Sequence, residues 1–325
     1  MTTFRKTILA AAAVSVSQFS TATAEELTGW NIHAPDYPGS IAMERFAELV
    51  DQRTGGRFQP SVYHSAQLGD QTAAIEQMAL DGMQWAVFSS GSLGDVAEEL
   101  KVVSLPYVFR SSTHMFSVVD GEIGGQLSDA LAGANMVVLS WFDGGARSFY
   151  TVEKPIRTPA DIVGLKIRVP NAEVFIATAE ALGANATPLA FAEVYTALQT
   201  GVVDGAENNA PSLVSTRHHE VVNYYSLDEH LMVPEALVLS KTVWDGLSEE
   251  DRAVFMGAAR EAADLQRSLW TDRTDASMAA AREQGVEIIE IADKEPFVDA
   301  MVPVYEKLVT SNSVRELLAA IQAVE

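Results

Sequence analysis

The chain has 325 residues, 48% of them hydrophobic, which allows one large domain or two smaller ones and is too apolar for disorder. It carries 22 Lys+Arg against 44 Asp+Glu, a formal charge of −22, and no cysteine. Such an acidic surface repels nucleic acid and anionic membranes. The missing thiols exclude disulfides, thiol chemistry and Cys-type zinc sites.

Arg5 and Lys6 precede a small, apolar run over 7–19, and Ala22-Thr23-Ala24 forms an A-x-A signal before Glu25. Residues 1–24 are therefore predicted to be a signal peptide cleaved after Ala24, leaving a periplasmic protein. The less favoured alternative is an uncleaved N-terminal helix. The run is too short for a comfortable membrane span. No other stretch reads as one, so no direct membrane insertion is expected.

Residues 27–34 read as a first strand, ending at His33. A helix over 41–53 follows, with Ile41, Phe46, Leu49 and Val50 near helical spacing. Then come a strand over 58–64, a helix from Gln71 to about residue 80, and a strand over 85–88 that ends in Ser89-Ser90-Gly91. His33, Gln71, Ser89 and Ser90 stand where strands end, which is where open α/β sheets bind ligands. Each also reads as an ordinary loop residue or cap. Another strand, over 136–141, leads to Gly145-Ala146-Arg147. The strand over 148–152 is read as a crossing between two lobes. Arg147 is a second basic candidate, or one half of a surface ion pair.

The stretch 164–209 alternates strand, helix, strand, helix, strand, so a parallel sheet is predicted. Arg168 lies near the end of the strand over 165–169. Pro170 stops that strand, Asn171 suits the cap of a helix over 172–182, and Gly183 suits its C′ position. A strand over 186–190, a helix over 193–200 and a turn through Asp204-Gly205 lead to Asn208. Arg168 offers a planar fork of donors suited to a carboxylate. Further on, Ser248-Glu249-Glu250-Asp251 resembles a capping box. No proline interrupts the chain from there to Gln284, so the helix should reach about 55 Å at 1.5 Å per residue, along more than one lobe or with a kink. A strand over 286–291 and mostly helix over 295–323 complete the chain.

Gly164-Leu165-Lys166-Ile167-Arg168-Val169-Pro170, Leu182-Gly183-Ala184 and the run over 188–208 together resemble the substrate-binding proteins of TRAP transporters. Gly145-Ala146-Arg147 and the Leu-Pro-Tyr-Val-Phe segment over 105–109 are similar to further segments of that family. Ala206 and Asn209 depart from it, where Gln and Pro are usual, so the local turn is expected to differ.

The resemblance implies an α/β, two-lobe periplasmic-binding-protein-like fold with a long helix bracing both lobes. Lobe I would comprise 25–146 plus 234–273, and lobe II 147–233 plus 274–325. It implies a monomeric receptor that closes on a small organic acid and delivers it to integral-membrane permease subunits driven by an ion gradient. Arg168 would clamp the carboxylate, supported by Arg147 and Asn208. Phe191 would lie against the carbon skeleton, and Glu193 would orient Arg168, accept from a hydroxyl or serve only as a helix N-terminal carboxylate.

The two arginines come from one side of the expected cleft. His33, Gln71, Ser89 and Ser90 oppose them, and His230 and Glu235 could add acceptors. That balance favours a sugar acid such as a uronate over a C4-dicarboxylate, the alternative ligand. No cofactor or metal is expected: His218-His219 is adjacent rather than spaced i, i+4, and no G-x-S-x-G, Walker or dinucleotide motif is present. The rival classes are an extracytoplasmic enzyme acting on acidic sugars and a ligand-sensing domain.

Overall fold

A computed structural model of the protein describes residues 24–324, so the expected leader lies outside the described residues apart from Ala24. The strands are β1 (Glu25–Trp30), β2 (Phe58–Tyr63), β3 (Trp85–Ser89), β4 (Met136–Phe142), β5 (Ala146–Thr151), β6 (Lys166–Val169), β7 (Asn185–Pro188), β8 (Gly205–Asn208), β9 (Tyr224–Met232), β10 (Glu235–Ser240) and β11 (Glu287–Glu290). They form a 5-stranded sheet in the order β2-β1-β3-β10-β4 and a 6-stranded sheet in the order β11-β9-β5-β8-β6-β7. Each sheet, with its covering helices, is one lobe.

The predicted crossover unit forms, with β6 parallel to both β7 and β8. The sheet as a whole is mixed, because β5 runs antiparallel to β8 and β9. The helix between β6 and β7 spans Glu173–Ala181 and has Ala172 at its N-cap without a side-chain bond, so Asn171 does not cap it. Gly183 ends it in the left-handed region, at φ 82°.

Strand β5 lies wholly in the second sheet, so it is not itself a crossing between lobes. The crossing is residues 143–145, between β4 and β5, and a second one, residues 233–234, joins β9 to β10. The two lie side by side, since Glu235 pairs with Phe142 in one sheet and Ala146 with Met232 in the other. Gly144 permits this approach: a Cβ there would stand 2.1 Å from the Val233 carbonyl oxygen.

The third connection is the helix Glu249–Glu283, 35 residues long, with Ser248 accepting from the Asp251 N–H at its start. Its first half buries Ala258, Ala259, Ala262 and Ala263 with Met43, Phe46 and Val50 of the helix Pro38–Thr54. Small residues let two helices approach closely. Further along, Ala281 joins Tyr150 and Leu213 in the core of the second lobe. Trp270 covers Gly145, whose Cβ would meet the indole at 2.7 Å.

After residue 273 the chain serves both lobes rather than the second alone. Strand β11 extends the second sheet, but the helix Asn312–Ala323 returns to the first lobe. There His114 Nε2 lies 3.1 Å from the Ile321 carbonyl and Ser313 donates to Glu99. No helix among the described residues is long and apolar enough to cross a membrane.

Gln266 of the long helix is fully buried and grips the first crossing. Its Oε1 accepts from Asp143 N at 2.8 Å and its Nε2 donates to Asp143 O at 2.9 Å. Gln266→Ala strands both backbone groups, and each buried unpaired group costs about 1–3 kcal/mol. Urea unfolding should therefore show a loss of about 2–4 kcal/mol. A loss below about 0.5 kcal/mol, the scale of an ordinary surface change, would remove Gln266 from this role.

Candidate functional site

The lobes enclose a cavity of about 330 Å³. The second lobe supplies Arg147, Arg168, Asn171, Phe175, Phe191, Glu193 and Asn208 to its wall. The first supplies His33, Gln71, Ser89 and Ser92, and Glu235 stands where the lobes join.

Arg168 reaches the wall from near the end of β6 and is 3% exposed. Its Nε and Nη2 donate to the Leu189 carbonyl at 3.0 and 2.6 Å. Its guanidinium carbon lies 5.9 Å from the Phe191 ring centre. No carboxylate among the described residues pairs with it. Burial, with the Arg147 charge adding to it, pulls its pKa down to about 10. At neutral pH it remains a buried cation whose charge is uncompensated by direct contact, a costly arrangement that an anion relieves.

Arg147 has the opposite status. Its Nε and Nη2 donate to the two Glu207 carboxylate oxygens at 2.6 and 2.8 Å, and Nη1 donates to Asn208 Oδ1 at 2.9 Å. Strand pairing explains the match. Glu207 lies opposite Phe149, and Arg147, two residues from Phe149, emerges on the same face. Burial opposes the Arg147 charge, but Glu207 outweighs it and the pKa rises. Burial likewise works against the Glu207 carboxylate, and Arg147 with His230 overcomes it, holding the pKa at about 2.

Behind Glu207 the chain of charges continues. His230 Nε2 is 3.5 Å from Glu207, and His230 Nδ1 is 2.8 Å from Asp228 Oδ2. Against its own burial, Asp228 and Glu207 raise the His230 pKa to about 9. His230 is 1% exposed and stacked on Phe149. It supports Arg147 from behind and does not line the cavity, contrary to the expectation of a ligand contact. Ser90 is also absent from the wall. The short helix Ser90–Leu93 turns its hydroxyl into the core, 2.8 Å from Ser104, and Ser92 faces the cavity instead.

Asn208 Oδ1 accepts from Arg147 and from Asn209 N, which orients the amide and leaves Nδ2 as the donor for a ligand. Glu193 accepts from Ala190 N at 3.0 Å, the helix N-terminal role, while also lining the cavity. It does not bond Arg168, which the Leu189 carbonyl orients instead.

On the first lobe, Gln71 is spent within the wall: it donates to Ser92 and accepts from Ser89 N. His33 stacks on Tyr37 with ring centres 3.7 Å apart, and its Nε2 lies 3.4 Å from Glu235 Oε1. His33 Nδ1, Ser89 Oγ and Glu235 Oε2 are buried without partners. Unpaired buried polar atoms are rare, and these three share one cavity.

Besides Ser92, sequence reasoning missed Glu207, Phe175, Tyr37 and Asn209 here. Glu207 stands beside Asn208 in the sequence, but its pairing with Arg147 follows only from the antiparallel register of β8 and β5. Phe175 packs against the Arg147 guanidinium at 5.0 Å and carries no distinguishing signal in the sequence. Tyr37 lies 3.2 Å from Ser212 Oγ, across the lobes. Asn209, one of the departures noted above, caps the helix Ala210–Ser215 and donates to Gly144 O. No cluster of metal-ligating residues occurs among the described residues.

Residues 31–312 match the model of the bacterial extracellular solute-binding proteins, family 7. A solute-binding protein of Chromohalobacter salexigens is 47% identical over 305 residues, covering 94% of this chain and 91% of that protein. A TRAP periplasmic solute-binding protein from Sulfitobacter, solved with bound β-D-galacturonate, is 48% identical with a TM-score of 0.89, covering 92% of this chain and 99% of that one. One from Roseobacter denitrificans, with bound β-D-glucuronate, is 46% identical with a TM-score of 0.91, covering 93% and 100%.

The buried charges set a pH dependence. Protonated His230 stabilises the fold fully below its ordinary pKa of 6.5, and that contribution is lost as the pH rises through about 9. Glu207 contributes above its ordinary 4.5, and that stability is lost as the pH falls towards about 2. Urea titrations from pH 7 to 9.5, above the range in which His218 and Asp143 titrate, should show stability falling by on the order of 2 kcal/mol. His230→Gln should remove the fall. The same alkaline slope in the variant would assign it to other groups.

Proposed function

This chain belongs to the bacterial extracellular solute-binding proteins of family 7, the receptors of TRAP transporters, and on that footing we propose that its ligand is a uronate. As a member of the family it is an exported receptor that binds an organic acid for a membrane permease, and it is not an enzyme. The finer reading is a monomer released by cleavage after Ala24, holding a hydroxylated sugar acid with one carboxylate.

The carrying observation is Arg168, a buried guanidinium paired with no carboxylate among the described residues and lining the cavity. A ligand carboxylate would bond the face of Arg168 turned away from Leu189, with Asn208 Nδ2 beside it. Phe191 and Phe175 offer apolar surface to the sugar carbons. Ser89, His33 and Glu235 offer hydrogen-bonding groups for hydroxyls. Lobe closure would bring these sets together and exclude water, which strengthens each charged contact. A C4-dicarboxylate would need a second cation, and the other arginine of the wall is neutralised by Glu207. The uronates bound by the Sulfitobacter and Roseobacter proteins support the same choice.

A thermal-shift panel of uronates, aldonates, C4-diacids, 2-oxo acids and sialic acid should find its largest shift with glucuronate or galacturonate. A ligand at 1,000 times its Kd adds about 4 kcal/mol of stability, which is readily seen. A shift with succinate or malate and none with either uronate would replace this reading with the dicarboxylate one.

Arg168→Lys keeps the charge but loses the planar fork. It should weaken uronate binding by about 2–4 kcal/mol in calorimetry, with the unliganded melt little changed. Wild-type affinity in that variant would remove Arg168 as the anchor.

A further inference from the structure

We propose that Glu235 and His33 form a hydroxyl-accepting selector that admits acids with one carboxylate and rejects aldarates, the same sugars oxidised to a carboxylate at both ends. The inference rests on the uronate reading and extends it to what the receptor refuses.

The selector and the anion anchor stand on different lobes, Glu235 and His33 on the first and Arg168 on the second. Glu235 is the first residue of β10, beside the crossings. It is seated between Gly39 and Gly144: a Cβ on Gly144 would touch its Cγ at 3.4 Å, and one on Gly39 would lie 3.8 Å from Oε2. The Arg168 guanidinium carbon and the His33 ring each lie 5.9 Å from the Phe191 ring centre, the His33 ring edge-on. Glu235 lies 3.4 Å beyond His33. The electrostatics agree. Glu207 and Glu193 are the carboxylates acting on the Arg168 charge, whereas Glu235 acts on Tyr37 and Asp143 near the crossings.

The selector offers acceptors. A carboxylate only accepts. With a proton on His33 Nε2 directed at Glu235 Oε1, Nδ1 also becomes an acceptor. Glu235 Oε2, His33 Nδ1 and the Oγ of Ser89, which pairs with Glu235 across β3 and β10, are buried without partners, and His33 is 7% exposed. The hemiacetal end of a uronate carries hydroxyl donors for the Glu235 carboxylate, which lines the cavity. Oxidising that end to a carboxylate removes a donor and sets an anion against an anion. No third arginine and no lysine lines the cavity to receive it. A site built to pair with a ligand hydroxyl rejects an analogue that lacks the donor by large factors.

The test is calorimetry of the mature protein and its Glu235→Gln variant with D-glucuronate, D-galacturonate, D-glucarate and galactarate. The wild type should bind its preferred uronate at least about 100-fold more tightly than the corresponding aldarate. Glu235→Gln, which trades an anion for an amide with donors, should weaken the uronate by about 10-fold or more. It should also raise aldarate affinity in absolute terms, a gain that a merely damaged pocket would not produce. Wild-type protein binding a uronate and its aldarate within about 10-fold of each other, on the same scale, would overturn the selector while leaving the uronate reading intact. So would a variant that weakens both acids together. Wild-type protein binding neither uronate would overturn both. The wild-type comparison stands whether or not the variant folds.

Discussion

Two guanidinium groups buried in one wall repel each other, and each loses its water. The fold holds Arg147 and Arg168 there because Glu207 cancels one of them. Its carboxylate takes the Arg147 fork across a strand pair, and His230 and Asp228 extend the alternation of charge inward. The chain of four ends neutral when His230 is protonated. Of the two arginines only Arg168 keeps its charge unpaired at the cavity wall, oriented by the Leu189 carbonyl rather than by a carboxylate. Under the uronate reading, this division of labour between two similar arginines leaves Arg168 to meet the ligand carboxylate. It also explains why a protein with a formal charge of −22 can capture an anion: local pairing, not net charge, sets the field at the site.

The second constraint is the place where the lobes meet. Gly144 lets the two crossings touch, Gln266 grips the Asp143 backbone in both directions, and Trp270 closes over Gly145. Around this joint Tyr37 of the first lobe reaches Ser212 of the second, and Asn209 donates to Gly144. Farther out, Gly91 of the first lobe abuts the Phe175 ring of the second so closely that a Cβ would stand 2.7 Å from it. Phe175 also faces the Arg147 guanidinium. Lobe contact and cavity wall thus share a side chain.

Much of this was legible in the residues. The crossover from β6 to β8, the long helix with its Ser248 cap and Arg168 near a strand end follow from periodicity, punctuation and one extended motif. The failures have physical reasons. Asn171 looked like a cap, but it sits in a tight turn closed by Ala172 N donating to the Pro170 carbonyl, so the helix begins later and Asn171 lines the cavity. Ser89 and Ser90 are indistinguishable in sequence. Only the onset of a short helix turns one toward the cavity and the other into the core. His230 was expected beside the ligand because polar residues near strand ends usually are. Side-chain alternation and the pull of two carboxylates place it behind Arg147 instead. Partners distant in sequence, such as Arg147 with Glu207 and Tyr37 with Ser212, become visible only once strand register is known.

The order in which the chain visits its two lobes also bears on inheritance. The first sheet is assembled from segments on both sides of the second, and the final helix returns to the first lobe. A single recombination point between two related genes therefore cannot exchange one intact lobe for another. Two points, one in residues 143–145 and one in residues 233–234, lift out β5 to β9 as a cassette that carries Arg147, Glu207, Asn208, His230 and Arg168 together. The paired charges travel as a unit, while His33 and Glu235 stay with the recipient. Recombination at the crossings thus reshuffles the Arg168 side of the cavity against the His33 and Glu235 side, leaving the recipient's β11 to pair with the incoming β9.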